Sequence, residues 1–177
     1  MPIVPAKTWV AGDPILASEM NTYISGILTS LMNPPSAKVY RSAVQALPNN
    51  VLTEVLWTHE LWDTAGLHST VSNTGRLTVP QAGIYVVSWY LRLGPQANVN
   101  HYQLVRVLHN GAMVDETMPH VYYGGGPILY AETSGVTQLK ASVGDYFQLQ
   151  AYQNSGAASN IDVGAVPTFA ATWIGNG

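Results

Sequence analysis

The sequence predicts an all-β antiparallel sandwich or jelly roll behind a short N-terminal helix. Three observations carry this. From residue 37 onward, short alternating apolar–polar runs recur at near-regular spacing, separated by turn residues. Asn110-Gly111 sits between two apolar runs, the strongest short hairpin signal. Residues 13–32 instead carry a helical period, and two prolines separate them from the β-patterned remainder of the chain.

Within 13–32, Met20, Tyr23, Ile24, Ile27, Leu28 and Leu31 fall on one helical stripe. Asp13 before Pro14, or Ser18, is placed to cap the start, so the expected helix spans 14–32. Met20, Ile24, Ile27 and Leu31 also keep the 4-3-4 rhythm of a coiled-coil seam, for fewer than two heptads. So short a helix is marginal alone and must pack on its own domain, on copies of itself, or on a larger structure. Asn33-Pro34-Pro35 stops it and makes a stiff hinge. The chain thus divides into a leader (1–36), with Trp9 and the helical seam as anchoring residues, and a head (37–177).

In the head, residues 39–44 read as a short strand and Pro48-Asn49-Asn50 as a turn, and 51–62 is rich in Val, Leu, Thr and Trp. Residues 75–94 break at Pro80-Gln81-Ala82-Gly83. Beyond the break, Tyr85, Val87, Trp89, Leu91 and Leu93 share one face. The other face carries Ile84, Val86, Ser88, Tyr90 and Arg92, half apolar, so both faces are expected to be covered. Residues 144–153 alternate, with Phe147, Leu149 and Ala151 opposite Tyr146, Gln148, Gln150 and Tyr152. Residues 167–175 form a last strand with Phe169, Ala171 and Trp173 on one face.

Composition bounds the function. Charged residues are 10% of the 177, against roughly 25% in an ordinary soluble domain. The surface is therefore rich in Asn, Gln, Ser, Thr, Gly and Tyr. Either the chain is a compact β protein with an uncharged polar surface, or much of that surface is an interface between copies, where charge would cost desolvation. The oligomer is the expectation, with Ile84, Val86, Tyr90, Tyr146 and Tyr152 as interface candidates. A net charge of −3 disfavours a protein that tracks nucleic-acid phosphates. The absence of cysteine excludes disulfides, thiolate metal sites and a Cys nucleophile. No apolar run suggests a membrane span, and the N-terminus lacks the apolar region of a secretory signal. The chain is thus expected to remain in the cytosol where it is made, unless lysis or a dedicated machine releases it.

Little points to catalysis or to a cofactor. His59, Glu60 and Asp63 make a partial metal set without a third imidazole at ligand spacing, so surface histidines are expected and no metal is assigned. There is no G-x-S-x-G elbow, and Gly124-Gly125-Gly126-Pro127 lacks the Lys-Ser/Thr of a phosphate loop. Asp145 after Gly144 is expected to serve a turn. The segment 118–132 gathers His120, Tyr122, Tyr123 and Tyr130 around a glycine run. Tyrosines on such a loop suit sugars and proteins as ligands, and equally a buried interface between copies.

Taken in order, VPQAGIYVVSWYLRL, LHNG, LKASVGDYFQLQAYQNSG and PTFAATWIG resemble segments of the complement C1q globular head. The resemblance covers roughly 37–175, anchored on Gly83, Tyr85, Gly144, Asp145 and Phe169. It implies the C1q/tumour-necrosis-factor jelly roll, which assembles as a tight trimer. The leader KTWVAGDPILASEMNTYISGILTSLMNPP resembles one found in tail and head-fibre proteins of bacteriophages, particularly those of actinobacteria, with Leu16 where that leader often has Thr. LWDTAGLHS (61–69) is similar to a stretch of the same proteins. Together these imply a virion protein released by lysis: a homotrimer joined by its leader to capsid or tail proteins, its head free to hold a host surface glycan. A decoration protein that cements a lattice, and a polysaccharide depolymerase, are the alternatives.

Overall fold

The computed structural model describes residues 7–95, 101–114, 120–123 and 130–177; for residues 27, 29, 30, 101 and 120–123 it describes the backbone only. The leader folds as α1 (Ala17–Met20), a π-helical turn (Asn21–Ser25) and α2 (Gly26–Met32), running on from one another. The helix starts three residues later than the expected 14–32. Leu16 occupies the N-cap position, in an extended conformation with no side-chain cap bond, so neither Asp13 nor Ser18 caps it. Asp13 is spent on a turn of its own: its carboxylate accepts the Val10 N–H at 3.1 Å, and its own N–H donates to the Val10 carbonyl at 3.0 Å.

Thirteen strand segments come after the helix among the described residues: β1 (Ser36–Tyr40), β2 (Gln45–Leu47), β3 (Thr53–Glu54), β4 (His59–Asp63), β5 (Arg76–Thr78), β6 (Gly83–Leu93), β7 (His101–His109), β8 (Ala112–Met113), β9 (His120–Tyr123), β10 (Ala131–Ala141), β11 (Tyr146–Gln153), β12 (Ser159–Asp162) and β13 (Thr168–Gly175). Sheet one runs β2-β12-β6-β13-β1-β4, with β10 also on β6. Sheet two runs β3-β11-β7-β8, with β5 on β11 and β9 on β7. The pairings are antiparallel.

Alternation places the core between the sheets. From sheet one, Tyr85, Val87, Trp89, Leu91 and Leu93 of β6 and Phe169, Ala171 and Trp173 of β13 point inward, as the period-two reading expects. From sheet two, Val105 and Val107 of β7 and Phe147, Leu149 and Ala151 of β11 meet them. Trp57 stacks on Phe169 at 5.7 Å between centroids, and Tyr85 lies against Phe147 at 5.8 Å. Asn110 (φ 52°) and Gly111 (φ 78°) both adopt the left-handed conformation of a type I′ turn, which closes the β7–β8 hairpin. Gly135 on β10 faces Trp89 on β6, where a Cβ would overlap the indole.

One strand expectation is corrected. The strand expected at 39–44 is β1 at Ser36–Tyr40, and it ends where Arg41 turns inward. The Arg41 guanidinium is buried and clamps the loops after β1 and β3, donating from Nη1 to the Leu56 carbonyl at 2.5 Å and from Nη2 to that of Val44 at 3.4 Å. Residues 51–62 divide between the two sheets. Their first half joins sheet two as β3 and their second half joins sheet one as β4. Val55 and Trp57 are buried where the chain crosses between the layers.

Candidate functional site

The outer face of sheet one is built from the alternate residues of its strands. Across the ladder, Ser36, Thr172, Val86 and Gln138 form one row, and Lys38, Ala170, Ser88 and Val136 the next. A third row runs Tyr40, Thr168, Tyr90 and Ser134. The centre is small and uncharged, with aromatics near it: Trp62 at the β4 edge, and Tyr40 stacked on His59 at 4.9 Å. Of the charges on this face, Arg92 is paired and Glu132 and Lys140 are peripheral, whereas Lys38 stands in the second row, on β1. Lys38 lies over Trp62 at 5.7 Å. Arg92 pairs with Asp162, donating from Nε at 2.5 Å, and covers the Tyr130 ring at 4.3 Å. Glu132 and Lys140 lie at opposite ends of β10. Burial and the neighbouring Glu132 carboxylate push the Tyr90 hydroxyl above its ordinary pKa.

Sheet two presents a different outer face. Tyr102 and Tyr152 stack at 5.2 Å, and Tyr152 donates to the Asn50 side chain at 2.9 Å. A hydrogen bond with Tyr102, then burial, raises the Tyr152 pKa. Arg106 is held by Gln150, which accepts from Nε at 2.9 Å and Nη2 at 2.7 Å, and Arg76 covers Tyr146 at 4.0 Å. Strand β9 adds to this sheet, with Tyr122 as ladder partner of Tyr102 and His120 as that of Leu104.

The sequence-derived sets are therefore redistributed. His120, Tyr122 and Tyr123 lie at the β9 edge of sheet two, whereas Tyr130 is exposed beside Arg92 on sheet one. Residues 118–119 and 124–129 of that segment lie outside the described residues. Among the interface candidates, Ile84, Val86 and Tyr90 share the sheet-one face, and Tyr146 and Tyr152 the sheet-two face. The stacked Tyr102 was missed: the β7–β9 register that sets Tyr102 opposite Tyr122 is shifted by three residues from that of the Asn110-Gly111 hairpin, so the turn does not announce it. In the leader, Trp9, Met20, Ile24 and Leu31 are exposed, and the Ile27 side chain lies outside the described residues.

The acidic and histidine residues of the stretch LWDTAGLHS hold structure. The Asp63 carboxylate accepts backbone N–H groups from Ala65 (3.0 Å), Gly66 (2.7 Å) and His68 (2.8 Å). Gly66 supplies the positive φ of 71° that the turn needs. His68 corrects the expectation of surface histidines: its side chain is fully buried, with Nδ1 2.9 Å from Glu60 and Nε2 3.1 Å from the Thr74 carbonyl. Glu60 and Asp63 are thus engaged separately. No group of three or more potential ligands clusters for a metal among the described residues. Asp145 serves its turn as expected, accepting the Ser142 N–H at 2.7 Å and Asn110 Nδ2 at 2.7 Å, with His109 Nε2 at 3.0 Å. These bonds, the backbone one first, hold its pKa below the ordinary carboxylate value. A recess of about 150 Å³ among Ala82, Lys140, Ser142 and Gly177 is shallow and brings no acid–base pair together. No described helix is long and apolar enough to cross a membrane.

Two facing antiparallel sheets of this strand order define a jelly-roll sandwich. The chain is similar to the globular domain of zebrafish complement 1qA protein, with 15% identity over 81% of this chain and 98% of that one and a TM-score of 0.54. It is similar to murine APRIL at pH 5.0, with 13% identity over 79% and 98% of the two chains and a TM-score of 0.54. Murine APRIL at pH 8.5 gives 13%, 79%, 98% and 0.53. No family model matches the chain, and no curated protein does. At these identities the likeness is one of fold: the chain has the C1q/TNF-like jelly roll.

Proposed function

We propose that this chain is a non-enzymatic structural protein of a bacteriophage virion, a homotrimeric fibre, tail or head appendage whose head contacts the host surface. The observation that carries the reading is the leader: a helix with an exposed apolar stripe preceding the jelly roll. A monomeric head has no use for such a stripe, whereas a chain that assembles through its leader does. Its likeness to phage leaders supports the same reading.

The trimer closes through the outer face of sheet one. Its small, uncharged centre can be removed from water at little desolvation cost, with Ile84, Val86 and Tyr90 as apolar contributors. This leaves Tyr146 and Tyr152 on the outward face, where the Tyr102–Tyr152 stack and the β9 edge hold a neutral glycan. Three weak sites on one rigid trimer gain by effective concentration.

Light scattering on the purified protein should give three times the 19.0 kDa chain mass; a stable monomer refutes the trimer. Excess free protein should block phage adsorption to cells. Retained adsorption refutes the receptor role and leaves a cementing one. Immunogold labelling of particles should find the chain on the virion, and bare particles would refute the virion assignment. Deleting residues 1–35 should abolish incorporation; unchanged incorporation refutes the anchoring role.

A further inference from the structure

We infer that the apolar stripe of the leader helix is covered by the same stripe of sister copies, as a short parallel three-helix coil on the trimer axis, and not by a capsid or tail protein. The inference rests on the trimer proposed above and names the occupant of its leader seam.

Four observations converge. First, the stripe is bare: Met20 is 41% exposed, Ile24 42%, Leu28 53% and Leu31 57%, and no residue of the first two segments (17–25) is buried. The head therefore does not cover it. Second, positions 20, 24, 27 and 31 alternate steps of four and three, the spacing by which identical helices interlock side by side. The π-helical turn at Asn21–Ser25 loosens the helix there, yet Met20 before it and Leu28 and Leu31 after it stay uncovered.

Third, the helix carries almost no charge. Between residues 17 and 32 the sole charged residue is Glu19, and it is paired to Lys7 of the same chain. Copies approach without like-charge repulsion. Equally, the seam lacks the flanking charges by which a helix selects a different partner, and its flanks are Ser, Thr and Asn. Fourth, the helix is tied to the proposed trimer face. The Pro34 carbonyl accepts from Thr64 Oγ1 at 2.9 Å, and the Pro35 carbonyl accepts the Trp173 N–H at 2.9 Å. The chain then enters β1 at Ser36, whose hydroxyl lies 2.9 Å from that of Thr172 on the outer face of sheet one. Three chains that close through this face start their helices beside one axis, all in the same direction. The coil, marginal as a lone helix, then forms at the high effective concentration the heads impose.

The absence of cysteine gives a clean test on the full-length protein. Ile24→Cys and Leu31→Cys put one thiol on the stripe, and Thr22→Cys puts one on the opposite side. Because disulfides need closely spaced Cα atoms, mild oxidation should link the stripe variants into dimers about tenfold faster than Thr22→Cys. Light scattering of the same samples reads the trimer independently. A trimeric mass with preferential stripe linkage supports the inference. A trimeric mass with equal or no linkage overturns it, assigns the stripe to another partner, and leaves the trimer standing. A monomeric mass overturns both.

Discussion

Replacing Asp63 tests whether the WDTAGLH stretch is a structural plug. The carboxylate accepts three backbone N–H groups, two on Oδ1 and one on Oδ2. Asp63→Asn keeps an acceptor for Ala65 and Gly66 but turns an amide N–H₂ toward the His68 N–H. One charge-assisted bond is lost, and since such bonds are worth about 1.5–3 kcal/mol, the low end applies at this half-buried site: about 1.5 kcal/mol. Asp63→Ala frees all three donors. Gly66 is exposed, so its N–H finds water; those of Ala65 and His68 are half-buried and are solvated less well. The expected loss is about 3 kcal/mol, less than three separate bonds because one carboxylate serves all of them. Urea unfolding at fixed protein concentration reads both values, with Asp13→Ala as a control in an exposed leader turn. For Asp63→Ala, a change smaller than about 0.5 kcal/mol, the ordinary scale of a neutral surface substitution, would refute the reasoning. So would a loss of stability in the parent protein on adding a chelator, which would point to a metal at Glu60 and Asp63.

Three further outcomes are expected. Asp145 has its folded pKa held below the unfolded value, so its contribution is present above the unfolded pKa and is lost as pH falls through the folded one; Asp145→Asn should flatten the acid limb of stability against pH, measured by thermal melts. Burial raises the Tyr85 pKa to about 12, and its hydroxyl donates to the Gln81 carbonyl at 2.7 Å. Its contribution is therefore complete below the unfolded value near 10 and fades as pH rises toward 12, so ultraviolet titration should show Tyr85→Phe removing a tyrosine that ionises near pH 12. Gly135→Leu drives a side chain into the Trp89 indole, should cost about 1–3 kcal/mol and should shift tryptophan emission; an unchanged melting curve and spectrum would contradict the packing.

Long strands were the most legible part of this chain. Residues 83–93, 146–153 and 168–175 each declare which side chains share a face, because alternation is local and a one-residue slip would reverse it. Short segments were less so. Arg41 ends β1 by reaching carbonyls of two later loops, which no nearby residue announces. His68 reads as an ordinary surface histidine until Glu60 and Thr74 are folded around it.

By itself, then, the amino-acid order determined an all-β head, its inward faces, the Asn110-Gly111 hairpin and a separate leader helix. Only the tertiary structure decided that Ile84, Val86 and Tyr90 face away from Tyr146 and Tyr152, that Tyr130 parts from Tyr122, and that the helix stripe stands uncovered. The physical reason is range. Which side of a strand is apolar is written in consecutive residues, but which sheet a strand joins depends on partners far along the chain, such as Tyr85 with Leu139 and Phe169 with Val39.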